Sequence, residues 1–131
     1  MALRLEESKG IPQPGGNIRP AYYSYDAAGL MTKKILFGNN VMTYFVYDSA
    51  SRLQQMANLD SAAATITYLG YARDANGNNT STAREGGMTI YYAYDALDRL
   101  TQESWKSSAG ATIYGFYYNY DAASNRYFQY D

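Results

Sequence analysis

Hydrophobic and polar residues alternate along most of the chain with the period of two that is typical of β-strands. Residues 88–94 are the clearest case. Met88, Ile90, Tyr92 and Tyr94 fall on one face at a spacing of two. Thr89, Tyr91 and Ala93 fall on the other face. No stretch of ten or more residues has the period of 3.6 that marks a helix. The pattern predicts an all-β fold of repetitive antiparallel β-hairpins with almost no helix.

Turn residues divide this pattern into short strands. The predicted strands are 21–25, 30–37, 41–47, 52–57, 65–73, 78–84, 88–94, 99–101, 112–120 and 125–130. Gly38-Asn39-Asn40 and Glu85-Gly86-Gly87 are predicted turns because these residues tolerate positive φ. Residues 58–64 are predicted to be a loop, with one helical turn as the alternative, and residues 105–110 are predicted to be a longer connection.

A Tyr-Asp pair recurs between the predicted strands. The copies are Tyr25-Asp26, Tyr47-Asp48, Arg73-Asp74 (with arginine in the tyrosine position), Tyr94-Asp95 and Tyr120-Asp121, followed by Tyr130-Asp131. Successive aspartates are 22, 26, 21, 26 and 10 residues apart. One hairpin recurring at this period is typical of a repeat architecture.

The aspartate of each pair predicts a tight turn. Asp at the first position of a type I turn accepts backbone hydrogen bonds, and Gly at the fourth position tolerates positive φ. Gly29 and Gly77 fit this rule. Ser51, Asp98 and Ser124 stand in the glycine position of the other copies, where we expect strain or a different loop.

Tyrosine is unusually frequent, at 16 of 131 residues. One tyrosine at a fixed place in each repeat predicts a ladder of stacked rings along the structure. The alternative is that the tyrosines fill the core of a β-sandwich.

These residues resemble the YD-repeat, or RHS-repeat, family over about residues 21–131. Residues 94–101 (Tyr-Asp-Ala-Leu-Asp-Arg-Leu-Thr) match its motif but lack the glycine, and residues 74–81 look like its Asp-x-x-Gly-Asn variant. The resemblance implies structural roles for Tyr25, Asp26, Gly29, Tyr47, Asp48, Arg52, Leu53, Tyr71, Asp74, Gly77, Tyr94, Asp95, Arg99, Leu100, Tyr120 and Asp121. Family members include toxin-encapsulating shells and teneurins, which wrap a long strip of repeats into a hollow shell. Their self-cleaving core has an Asp-Pro motif that this chain lacks, so that activity is not expected here.

Composition argues against catalysis. The chain has no His and no Cys. This excludes Ser-His and Cys-His catalytic pairs, and it excludes metal sites built on thiolate or imidazole ligands. Phosphate-binding glycine loops are absent, and residues 74–79 are only a weak match to a calcium loop because the distal glutamate is missing. We therefore expect a non-enzymatic protein with no cofactor and no metal. The balance of 11 basic and 12 acidic residues gives no reason to expect nucleic acid.

Residues 1–20 differ from the rest because they hold all three prolines. They are predicted to form an extended arm, or alternatively a disordered leader, ahead of a repeat domain at 21–131. The arm lacks the apolar core of a secretory signal peptide, and no run of residues is long and apolar enough to span a membrane. We still expect an extracellular or cell-surface protein, with the secretion route open.

We expect one function from this pattern, self-assembly, and two alternatives stay open. In the first, an open edge at Tyr127, Phe128 and Tyr130 pairs with the next copy, so that the chain self-assembles head-to-tail into a filament or tube. In the second, the chain is part of a large YD-repeat shell that encloses a toxin or other cargo, and its partners are the flanking repeats. In the third, it is an extracellular glycan-binding or adhesion module that uses Tyr91, Trp105 and Tyr117. These three are expected on the face opposite the motif tyrosines, where they could also pack against a neighbouring layer.

Overall fold

The predicted all-β class is confirmed. The computed structural model describes residues 4–12, 18–36 and 40–129, and they form antiparallel strands with a single 3₁₀ turn in the described part, at Glu85–Gly87. The strands are β1 (Arg4–Pro12), β2 (Ile18–Tyr25), β3 (Met31–Leu36), β4 (Val41–Tyr47), β5 (Leu53–Leu59), β6 (Thr65–Arg73), β7 (Asn79–Arg84), β8 (Thr89–Tyr94), β9 (Leu100–Lys106), β10 (Thr112–Tyr120) and β11 (Arg126–Gln129).

The chain divides into two compact units, residues 1–68 and 69–131, with the boundary inside β6. Within each unit every strand pairs antiparallel with the strands next to it in sequence. This order makes successive turns alternate between the two ends of the strands. In each unit all motif turns therefore lie at the same end, which we call the motif end.

The strand bounds follow the alternation of the sequence closely. Predicted strands 41–47, 65–73 and 112–120 coincide with β4, β6 and β10. Two predicted connections are shorter than expected: β5 continues to Leu59, and β9 includes Trp105 and Lys106. The turn predicted at 38–40 falls mostly outside the described residues, which resume at residue 40.

The N-terminal residues pair with the first repeat. β1 runs antiparallel to β2, with Arg4 opposite Tyr25 and Ser8 opposite Ala21. The segment 13–17, which carries Pro14 and the Gly-Gly pair, lies outside the described residues. The predicted division at residue 20 falls inside β2 and stays a prediction.

Each unit buries few side chains. Among the residues whose side chains are described, the buried ones are Ala21 in the first unit and Thr82 and Ile90 in the second. Thr82 and Ile90 are 6% exposed and stand directly opposite each other on β7 and β8. Ile90 shares a strand face with Tyr94, so the most buried positions are on the face of the motif tyrosines.

A close contact between two turns of the second unit makes Gly87 sensitive to substitution. Gly87 has φ +80, and a Cβ at this residue would lie 2.9 Å from the Cβ of Ser108. Gly86 has a similar φ of +74 but nothing within 4 Å of such a Cβ. We expect Gly87→Ala to lower the free energy of unfolding by about 1 kcal/mol more than Gly86→Ala in urea denaturation, because only the first adds a clash to the backbone strain. Equal losses would contradict this contact.

Candidate functional site: the motif turns and the contacts between repeats

Each motif aspartate organises a five-residue turn. At Asp95 the backbone N–H donates to the carbonyl of Arg99 at 2.9 Å, and the N–H of Asp98 donates back to the carbonyl of Asp95 at 3.0 Å. The carboxylate Oδ1 accepts from the N–H groups of Leu97 and Arg99, at 2.9 and 3.0 Å. The same backbone pair closes the turns at Asp26, Asp48, Asp74 and Asp121. The aspartate is thus the side chain that satisfies the loop's own backbone donors.

The glycine position of every motif turn has positive φ, whichever residue occupies it. Gly29 and Gly77 have φ of 82° and 95°. Ser51, Asp98 and Ser124 have φ of 61°, 57° and 64°, so they adopt the same loop and carry the expected strain. Two of them also make side-chain contacts with a neighbouring repeat, described below.

The residue four positions after the aspartate reinforces the turn. Arg52 and Arg99 donate through Nε to the Oδ2 atoms of Asp48 and Asp95, at 2.8 and 2.7 Å. Asn125 donates through Nδ2 to Asp121 Oδ2 at 2.9 Å. In these three turns both carboxylate oxygens therefore accept hydrogen bonds from the chain itself.

Hydrogen bonding lowers the pKa of three motif carboxyls. For Asp48 and Asp95 the backbone N–H four residues on is the main cause, and for Asp121 it is the side-chain amide of Asn125. Because the folded pKa lies below the unfolded value, the unfolded state binds more protons in acid. The stabilisation is fully present above about pH 4 and is lost as pH falls through the lowered pKa values.

We therefore expect the urea midpoint to be constant near neutral pH and to fall below about pH 4. Asp95→Asn is the matched control because its amide cannot titrate, so its midpoint should start lower and fall less. A wild-type midpoint that does not change down to pH 2.5 would contradict the prediction.

The motif tyrosines join consecutive repeats through their hydroxyl groups. Tyr47 donates to the carbonyl of Met31 at 3.0 Å, Tyr94 to that of Asn79 at 2.9 Å, and Tyr120 to that of Leu100 at 2.8 Å. In each case the acceptor is five residues after the aspartate of the preceding repeat. Equivalent tyrosines are two strands apart, roughly 9–10 Å, which is too far for the ring contact that the predicted ladder requires. Consecutive repeats are therefore connected by hydrogen bonds from tyrosine hydroxyls to backbone carbonyls, and not by stacked rings.

Arg99 links the fourth repeat to the fifth. Its guanidinium carbon lies 4.3 Å from the centre of the Tyr120 ring, and its NH1 donates to the Ser124 hydroxyl at 3.1 Å. The same side chain holds Asp95. Arg99 therefore couples the turn of its own repeat to the tyrosine and the glycine-position serine of the next one.

Asp98 links the fourth repeat to the third. Its Oδ1 accepts from the side-chain amides of Asn76 and Asn78, at 3.0 and 2.6 Å. Asn78 also donates to Asp74 Oδ2 at 3.3 Å. Asp98, which stands at positive φ, thus bridges its own turn and the turn of the preceding repeat through its carboxylate.

The remaining motif residues predicted from sequence lie on the strands next to the motif turns. Leu53 and Leu100 open the return strands, opposite Tyr47 and Tyr94. Tyr25 stands opposite Met31. Tyr71 lies two positions before Arg73, whose guanidinium carbon is 5.4 Å from the Tyr71 ring centre.

The predicted assembly edge is described only in part. Tyr127 and Phe128 belong to β11 and pair with Asn119 and Tyr118. The Tyr127 side chain is 54% exposed. Tyr130 lies outside the described residues, and pairing with another copy stays a prediction.

Sequence reasoning missed two turns at the end opposite the motif end. Asp60 closes a turn with Ala64 through the same bonds as the motif aspartates, and Ala63 takes the positive φ of 62°. Ser107 opens a similar turn with Gly110 in the glycine position. The sequence could have indicated both turns, because each begins with a polar residue as the motif does. The two segments are Asp60-Ser-Ala-Ala and Ser107-Ser-Ala-Gly.

The predicted placement of Trp105 is wrong. Trp105 stands directly opposite Ile90 and therefore lies on the face of the motif tyrosines, while Tyr91 lies opposite Ser104 on the other face. A register shift beside Tyr94 inserts one extra residue after the turn and reverses the alternation in β9. The indole is occupied on this face: it donates to Glu103 Oε1 and packs edge-on against Tyr114, with ring centres 6.3 Å apart.

The described residues contain neither a metal-binding cluster nor a membrane-spanning helix. Within residues 4–12, 18–36 and 40–129, no group of three or more His, Cys, Asp or Glu could hold a metal ion. The described part of the chain also contains no helix long and apolar enough to cross a membrane.

Comparison with known proteins gives the fold. No family model matches the chain, and no curated protein matches its sequence. Two solved structures share the fold: a TcdB2-TccC3-TEV structure with TM-score 0.75 and 16% identity, and a TcdB2-TccC3-Cdc42 structure with TM-score 0.72 and 17% identity.

The matched region is a small part of those proteins. The matches cover 97% and 84% of this chain but only 7% and 5% of the other chains. A Photorhabdus luminescens Tc holotoxin pore is a weaker neighbour, with TM-score 0.46. The fold of this chain thus corresponds to a short segment of much longer chains.

Proposed function

We propose that the chain is a non-enzymatic structural segment of a YD-repeat shell that encloses a toxin or other cargo, and that its partners are the flanking repeats of a longer chain. The observation that carries this proposal is how little each unit buries. Three side chains are buried among those described, and Val46, Ile66 and Tyr114 remain 46%, 48% and 59% exposed. A repeat sheet of this kind gains stability from neighbouring repeats.

The contacts between consecutive repeats within each unit support the structural role. The bonds from Tyr47, Tyr94 and Tyr120 each join one hairpin to the one before it through the same atoms. The contact can recur along a longer chain wherever a repeat carries the motif tyrosine, and the third repeat, with Arg73 in that position, is the exception here. The likeness to short segments of the long TcdB2-TccC3 chains agrees with this use of the fold.

The location of the shell rests on the resemblance alone. Toxin-encapsulating shells and teneurins act outside the cell, and we infer the same extracellular or cell-surface setting here. The motif aspartates are turn formers in this function, since their oxygens bond within the chain and recur once per repeat.

Sedimentation velocity with electron microscopy of the purified chain tests the proposal. We expect single protomers or short irregular oligomers at tens of micromolar, because the shell segment lacks its flanking repeats. Long uniform filaments or tubes would overturn the shell segment and favour head-to-tail self-assembly.

A second variant identifies the edge if filaments form. Tyr127→Pro removes a backbone donor from β11 and should block pairing through that strand. Tyr127→Thr is the matched control because threonine keeps both the donor and the strand propensity.

A further inference from the structure

A groove crosses β8 and β9 on the face opposite the motif tyrosines. Its volume is about 220 Å³, and it is lined by Tyr91, Tyr92, Ala93, Gln102, Ser104 and Lys106. The pairing places Tyr91 opposite Ser104 and Ala93 opposite Gln102. The small residues beside Gln102 and Ser104 are Ala93 on β8 and Gly115 on β10.

Two exposed tyrosines border the polar floor. Tyr91 on β8 is 48% exposed and Tyr117 on β10 is 39% exposed. Tyr117 stands opposite Gln102, whose Nε2 donates to its hydroxyl at 3.4 Å. A Cβ on Gly115 would lie 3.8 Å from Cε2 of Tyr117, so the ring leans back along its strand over the glycine. The Tyr117 ring is thus placed by its bond to Gln102, and the side chains of Gln102 and Ser104 form a polar strip on β9, between the strands of the two tyrosines.

The polar strip can both donate and accept hydrogen bonds. The Gln102 amide has two donors and an acceptor, and the Ser104 hydroxyl has one donor and two acceptor sites. Neighbouring hydroxyls on a saccharide ring require this mixture, while the apolar faces of the ring require a flat aromatic surface. A peptide side chain would find no deep apolar pocket in this shallow groove.

Charge selects among saccharides. Lys106 is the charged residue that lines the groove, and its Nζ donates to the Thr112 hydroxyl at 3.0 Å. The nearest acidic residue along β9, Glu103, stands opposite Tyr92 and lies on the other face. The groove therefore favours a ligand with a negative group.

We propose that this groove binds an acidic saccharide. The sugar ring stacks on Tyr91, its hydroxyls bond to Gln102 and Ser104, and its carboxylate pairs with Lys106. This binding role is additional to the structural role proposed above and does not rest on it. Every residue of the groove belongs to the second unit.

Titration by nuclear magnetic resonance tests this site, with the ring signals of the tyrosines as the readout. Trp105 fluorescence is unsuitable because the indole lies on the other face. The probes are an oligogalacturonate and a neutral oligogalactose of the same length. We expect the acidic oligosaccharide alone to shift the signals of Tyr91 and Tyr117, with a Kd in the millimolar range that is typical of a shallow site.

Three variants test whether the saccharide binds in the groove or to any exposed tyrosine. Tyr91→Ala and Lys106→Gln should each raise the Kd by about 10-fold. Tyr114→Ala removes a tyrosine that is still more exposed, at 59%, but lies on the other face, and it should leave the Kd within about 2-fold. Circular dichroism establishes that each variant is folded.

Three results would overturn the proposal. They are no binding of the oligogalacturonate, equal binding of the neutral sugar, and equal weakening by Tyr114→Ala.

Discussion

Replacing Tyr120 by Ala is expected to lower the free energy of unfolding by about 3 kcal/mol. The change removes a half-buried ring, the hydroxyl bond to the Leu100 carbonyl and the aromatic surface under the Arg99 guanidinium. These contacts join the fourth repeat to the fifth, so their loss should also release the last hairpin before the rest. Urea denaturation gives the total loss, and hydrogen exchange of the β10 and β11 amides gives its location.

Two further variants divide this loss among its causes. Tyr120→Phe keeps the ring beneath Arg99 and loses only the hydroxyl bond, so we expect a cost of about 1 kcal/mol. Tyr127→Ala removes a tyrosine that is 54% exposed and should cost less than Tyr120→Phe. If Tyr120→Ala and Tyr127→Ala have the same effect, the motif tyrosine does not hold the repeats together.

Replacing Ile90 by Ala is expected to cost about 3 kcal/mol as well, for a different reason. Ile90 is 6% exposed, and its neighbour across the strands, Thr82, is equally buried. Removing three carbons from this position leaves a cavity on the motif-tyrosine face, where little else is buried. Circular dichroism in urea measures the shift of the unfolding midpoint.

Ile113→Ala is the matched control for Ile90. It makes the same chemical change in the same unit, but Ile113 is 45% exposed. We expect a loss below about 1 kcal/mol. Equal losses at the two isoleucines would mean that the burial at Ile90 does not contribute to stability.

The alternation of the sequence was enough to predict the fold class and most strands. β4, β6 and β10 have the predicted bounds because tyrosine and β-branched residues alternate in them and turn residues mark their ends. The motif turns were also predictable, since an aspartate that bonds to its own loop is a local interaction.

The contacts between repeats were harder to predict because they depend on register. One extra residue beside Tyr94 reverses the faces of β9, and this moved Trp105 to the opposite side from the predicted one. The bridge from Asp98 to Asn76 and Asn78 joins residues 20 and 22 positions apart. Its geometry could be anticipated only once the pairing of adjacent hairpins was known.

The tyrosine bonds all have the same direction along the chain, with consequences for synthesis on the ribosome. Tyr47, Tyr94 and Tyr120 each donate to a carbonyl that has already been made. A hairpin that carries one of these tyrosines therefore finds its acceptor already made when it emerges. Docking of these three hairpins can follow translation from the N-terminus, whereas the third repeat, with Arg73 in the tyrosine position, has no tyrosine hydroxyl to make this bond.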